Sequence, residues 1–137
     1  MKAAALGLLM LLAGVARAEL PASDEWVRMG SVAVAGEAEA DAIVARLPGH
    51  EVRKTPGRVW IVSIAGEGSP FVGVVERRAR SLWLVGDDGT ELELRGPLAR
   101  PRIAGPGYTV WVLGTLDERT GNVLRVRRIG VLRAPAP

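Results

Sequence analysis

Three features of this 137-residue sequence predict a mainly β protein, a five-stranded barrel with an N-terminal strand–helix–hairpin unit packed on it. Residues 71–132 hold five segments in which Val, Leu, Ile and aromatic residues recur at alternating positions, bounded by Gly, Pro, Asp or Asn turn residues. The longest connection falls between the third and fourth segments, where Pro97, Pro101 and Pro106 leave no room for more than a helical turn. Residues 26–64 instead read strand, helix, strand, strand, and their helix has an apolar face that so small a unit cannot bury alone.

In chain order, MKAAALGLLMLLAGVARA combines Lys2, an apolar run from Ala3 to Val15 and the small-x-small triplet Ala16-Arg17-Ala18. That is the pattern of a cleavable signal peptide over residues 1–18, so the mature chain is expected to start at Glu19 and to be periplasmic or secreted. No later segment reaches the ~20 apolar residues of a membrane-spanning helix, so none is expected after cleavage. The sequence has no cysteine, which excludes disulfides, thiol chemistry and a lipid-modified cysteine after the signal.

Loss of Lys2 and Arg17 reduces 18 basic residues to 16 against 15 acidic ones, so a net charge of +3 becomes +1. The distribution is uneven. Residues 19–51 hold seven acids and two arginines, whereas residues 52–137 hold fourteen basic and eight acidic residues. Arginine supplies nearly all of the positive charge, a bias that genome composition produces as readily as function does.

Residues 19–66 form the N-terminal β-α-β-β unit. EWVRMGSVAV is β-like. GEAEADAIVARLPG is helical, because Ala40, Ile43, Val44 and Leu47 repeat at the i, i+3, i+4, i+7 spacing of one helix face. Glu37, Glu39 and Asp41 suit its N-terminus, Arg46 its C-terminus, and Pro48-Gly49 end it. HEVRKT and RVWIVSI, joined by Pro56-Gly57, read as a hairpin.

Residues 67–132 supply FVGVVERR, SLWLVGDD, TELELRG, YTVWVLGTL and NVLRVRRIGVL, the layout of an oligonucleotide/oligosaccharide-binding (OB)-like barrel. With Asp87-Asp88-Gly89 as a three-residue loop, Leu84 lies opposite Leu92 and Leu82 opposite Leu94, all on one face. A one-residue slip would separate them. This register turns Trp83 outward, across from Glu93. In the last strand Leu124 and Val126 alternate inward but Ile129 and Val131 have the opposite parity, which requires a β-bulge near Arg127-Arg128. The tail RAPAP, residues 133–137, is expected to be disordered.

The run GTELELRG followed by VWVLGTLDERTGNVLRVRRIGVL resembles small exported bacterial OB-fold proteins of uncharacterised role, over residues 71–132. WVRMGSVAV, AEADAIVARL and GRVWIVSIAG, within residues 26–66, resemble the first half of a SPOR domain, a periplasmic module that binds peptidoglycan. The second helix and last strand of that module are replaced here by the linker and Phe71.

No reaction is indicated, and the chain is read as non-catalytic with no metal and no cofactor. His50 is the one imidazole and follows a helix exit, where a solvated turn residue suffices, and no serine lies in a nucleophile elbow. Asp87 and Asp88 are explained by turn geometry. The candidate ligand-binding residues are Trp83, Arg95, Arg125, Arg127 and Arg128, because OB barrels use outward aromatics as platforms and arginines for charge. Trp83 forms an open platform unless the N-terminal unit covers it; Trp60 and Trp111 are read as packing residues. Expected partners are a cell-envelope glycan, an anionic polymer or a protein. Nucleic acid is disfavoured, since Glu91 and Glu93 flank Trp83 with the wrong sign for phosphate. The alternative is a structural or inhibitor-like accessory subunit acting by protein–protein contact.

Overall fold

The computed structural model describes residues 29–135. The expected signal peptide and cleavage site, Trp26 and the last two residues of the expected tail lie outside these described residues.

The N-terminal unit contains β1 (Gly30–Ala33), α1 (Glu37–Ala45), β2 (His50–Thr55) and β3 (Arg58–Ile64), with an antiparallel sheet in the order β1-β3-β2. Strand alternation sends Val59 and Ile61 to one face, where both are fully buried, and Trp60 to the other. The predicted helix face lies on the Val59–Ile61 side: Ala40, Ile43 and Leu47 are buried and Val44 packs against them. Glu39 accepts a hydrogen bond from the Ala35 N–H at 2.7 Å, satisfying a backbone donor ahead of the helix. Arg46 forms the C-cap, and its guanidinium reaches away to donate to the Leu132 carbonyl at 3.1 Å. At the β2–β3 turn Gly57 adopts a φ of +81°, which only glycine takes without strain.

Five strands form a closed barrel: β4 (Phe71–Arg78), β5 (Ser81–Val85), β6 (Glu91–Arg95), β7 (Thr109–Leu116) and β8 (Val123–Arg133). Their order is β4-β5-β6-β8-β7, with β6 and β8 parallel and the other pairs antiparallel. The leucine register is the expected one, Leu82 with Leu94 and Leu84 with Leu92, and all four are buried inside. The β6–β7 connection has no helix and packs Leu98, Ala99 and Ala104 into the barrel core.

The last strand carries two irregularities. Leu113 pairs with Arg128 and Gly114 with Val126, so Arg127 is the extra residue of a bulge where the parity change requires one. Past it, Ile129 and Val131 face the barrel core. A second shift, between the Thr109–Arg133 and Val110–Val131 pairs, makes Leu132 the extra residue and turns it outward, where it is buried. Strand β8 also runs one residue into the expected tail. Arg133 is ordered by bonds from its guanidinium to the Ala33 carbonyl (3.2 Å) and to Glu39 (2.7 Å).

Leu132, Trp111 and Leu113 lie outside the barrel and share a core with Val32, Ile43 and Ile61. The N-terminal unit therefore docks on the β7–β8 side of the barrel, burying the helix face that it cannot bury alone. Ion pairs reinforce the seam: Arg58 with Asp87 (2.8 Å), Arg133 with Glu39, and Arg127 (2.6 Å) and Arg128 (3.1 Å) with Glu67 of the β3–β4 connection.

The Ala35 N–H and the Arg133 guanidinium hold the Glu39 carboxyl below the usual range, and the Arg127 guanidinium, with Arg128 nearby, does the same for Glu67. Because these values are lowered by folding, their stabilisation is present above the unfolded glutamate value, about 4.3, and is lost as pH falls through the folded values. The thermal midpoint should therefore fall on acidification below that point, and fall less in Glu39→Gln/Glu67→Gln. Solvent screening keeps the difference modest. Identical pH dependence in variant and parent would remove these two groups as contributors.

Candidate binding face

The outward positions of β4, β5, β6 and β8 form a grid that the register fixes. Val74 lies beside Val85, which pairs with Glu91; Glu76 lies beside Trp83, which pairs with Glu93; Arg78 lies beside Ser81. On the parallel pair, Arg95 lies beside Arg125. The face thus grades from valines at one end, through an indole between glutamates, to arginines at the other.

Trp83 is half-buried on this face, away from the N-terminal unit. The Arg78 guanidinium covers it instead, with its carbon 4.9 Å from the ring centroid, within cation–π range. Arg78 is fixed there by Glu76 at 2.6 Å and Glu91 at 3.0 Å. A ligand that stacks on this ring face must take the place of Arg78. Glu93 accepts the Ser81 hydroxyl at 2.8 Å and a two-point bond from Arg95, Nε and Nη2 both at 3.1 Å. Those bonds, the Arg95 contact foremost, hold the Glu93 carboxyl below the usual range.

The five sequence candidates divide into two groups. Trp83, Arg95 and Arg125 share the face. Arg125 is exposed and, among the described residues, has no carboxylate within ion-pair distance. Arg127 and Arg128 are paired instead with Glu67 at the unit seam. Glu76 and Glu93 are paired with Arg78 and Arg95. Sequence reasoning passed over Arg78. Its signal was the Glu-x-Arg spacing, repeated at 76–78 and 93–95, which puts opposite charges on the same face of a strand.

Elsewhere, the His50 ring nitrogen lies 3.1 Å from the Leu47 carbonyl at the helix exit. Asp88 accepts the Thr90 N–H at 3.0 Å as a turn residue does, and Asp87 is held by Arg58. Trp111 is buried at the unit seam, and the Trp60 indole N–H donates to Thr55 at 2.9 Å. Among the described residues no group of three or more His, Asp or Glu side chains is placed to hold a metal ion, and no helix is long and apolar enough to cross a membrane. Comparison of the chain with protein-family models, curated proteins and solved structures gives no match.

Proposed function

We propose that this chain is a non-catalytic, exported binding module of the cell envelope that holds its ligand, a glycan, an anionic polymer or a protein, on the outward face of β5, β6 and β8. The observation that carries this reading is where the N-terminal unit docks. Among the described residues it packs on the part of β7 and β8 that carries Trp111, Leu113 and Leu132, and not on Trp83, Arg95 or Arg125, which lie on neighbouring outward positions of β5, β6 and the start of β8. OB-like barrels bind extended ligands across this region, and the likeness of residues 26–66 to half of a peptidoglycan-binding module agrees with an envelope ligand.

The test is co-sedimentation of the mature chain with insoluble cell-wall sacculi. Trp83→Ala and Arg125→Gln should each weaken binding roughly tenfold, about 1.4 kcal/mol. Arg127→Gln, which alters only the seam, should bind as the parent does. Failure of the parent to sediment, or equal losses from all three substitutions, would refute the assignment. Full binding by Trp83→Ala and Arg125→Gln would move the site off this face.

A further inference from the structure

The barrel is closed and offers no free strand edge, whereas the N-terminal sheet, in the order β1-β3-β2, has two. The β1 edge is occupied. Its Gly30 N–H donates to the Ser69 hydroxyl at 2.9 Å, Gly30 lies against the Pro70 carbonyl, and the Ala33 carbonyl accepts from Arg133 at 3.2 Å. The β2 edge is open. Thr55 pairs with Arg58 across a two-residue turn, and so tight a hairpin closes on a pair that exchanges both backbone bonds. Counting back by twos, Thr55, Arg53 and Glu51 turn their backbone groups to β3, while Lys54, Val52 and His50 turn theirs outward. The irregularity in this ladder leaves that alternation of β2 intact, because the extra residue, Val62, is on β3. Among the described residues no group bonds the N–H or carbonyl of His50, Val52 or Lys54 from outside the sheet. Such an edge is a template for pairing with another chain.

We propose that a second copy of this chain pairs here, β2 against β2, antiparallel about a two-fold axis at Val52, so that the two N-terminal sheets join into one. The axis puts Val52 opposite Val52 and each His50 opposite Lys54 of the other copy, and these pairs take up the outward backbone groups. Charge fixes the register. About Val52, each Glu51 stands opposite Arg53 of the other copy at the close, non-hydrogen-bonded positions, where opposite charges stabilise a sheet. A shift of two residues sets Arg53 against Arg53 in one direction and Glu51 against Glu51 in the other. A shift of one residue brings outward backbone groups against inward ones. Within one chain the same two side chains are loosely joined. The Arg53 Nη2 is 3.8 Å from Glu51, and the Arg53 Nε is buried with no hydrogen-bond partner among the described residues. The second copy brings another carboxylate to that guanidinium. Both side chains are free to respond, Glu51 being 61% exposed and Arg53 37%. Lys54 brings its own carboxylate to the pairing, Asp41 at 2.8 Å. This edge is separate from Trp83, Arg95 and Arg125, and it is open whether or not a ligand binds there.

The experiment is sedimentation velocity of the mature chain over a range of concentrations, with the thermal midpoint of each variant as the control for folding. One strand pair gives an interface at the small end of the range, below about 1,200 Å². The parent should therefore pass from one chain to two as concentration rises. Glu51→Lys and Arg53→Glu should each self-associate about tenfold more weakly or worse, because each sets like charges opposite one another. An equimolar mixture of the two should form dimers again, since every opposed pair then has opposite signs. Lys54→Pro removes an outward N–H and no bond to β3, so it should abolish pairing, and it decides the matter if either charge variant fails to fold. A parent that stays single at the highest concentration would overturn the proposal and leave the edge to an extended segment of another protein. Dimers that survive Lys54→Pro, charge variants that associate alone as well as the parent does, or a mixture that stays as single chains would overturn it too.

Discussion

Trp111→Ala is expected to lower the stability of the folded chain by about 3–5 kcal/mol, the range for truncating a buried aromatic residue. Trp111 stands on the outside of β7 yet is only 5% exposed, because the N-terminal unit closes over it. Its partner on β8 is Gly130, where a Cβ would run into the indole ring. The ring therefore occupies space that its cross-strand neighbour cannot fill once it is removed. A cavity that cannot collapse puts the loss toward the upper end of the range. Urea denaturation of the parent and the variant checks this. A loss below about 1 kcal/mol would show that the unit is tethered to the barrel without being packed on it. Trp83→Ala, which removes a half-buried ring from the far face, should cost distinctly less.

Those two tryptophans mark what the sequence could and could not reveal. Both stand between apolar neighbours on strands whose alternation turns them outward, as Leu82-Trp83-Leu84 and Val110-Trp111-Val112. Strand periodicity gives the facing of each, because a slipped register would split Leu82 and Leu84 from Leu92 and Leu94. It is silent on which one is covered. That depends on the second bulge, which turns Leu132 outward, and on Gly130, which makes room for a ring: two features of a strand about twenty residues further along the chain. The first bulge was legible because hydrophobic parity reverses across Arg127-Arg128 within one strand. The fate of those arginines was not. Their partner Glu67 lies sixty residues earlier, in a connection with no periodicity, and non-local ion pairs leave no local pattern. For the same reason the ion pairs of Glu76 with Arg78 and Glu93 with Arg95 could be read from the Glu-x-Arg spacing. The cover over Trp83 needed the β4–β5 pairing as well.

Gly114→Ala is expected to destabilise the chain by about 3 kcal/mol, at the upper end of the usual cost of overpacking. Gly114 pairs with Val126 beside the first bulge, where β7 and β8 approach so closely that a Cβ would run into the Arg125 carbonyl oxygen. The obstacle is backbone in a closed barrel. It cannot rotate away as a side chain would, and relief requires the β7–β8 ladder to move. The residue whose carbonyl is displaced is Arg125, whose guanidinium on the candidate face has no carboxylate within ion-pair distance among the described residues. The substitution should therefore weaken sacculus binding even under conditions where the variant remains folded. Gly36→Ala is the control, since its φ of −174° is ordinary extended backbone and nothing lies within 4 Å of the added methyl group. It should stay within about 1 kcal/mol of the parent, the change reflecting only the N-cap preference. Denaturation midpoints together with binding of the folded fraction decide the matter. A Gly114→Ala chain as stable as the parent would show that β8 can yield at the bulge. One that is destabilised but binds normally would show that the position of Arg125 does not depend on the close approach of these two strands.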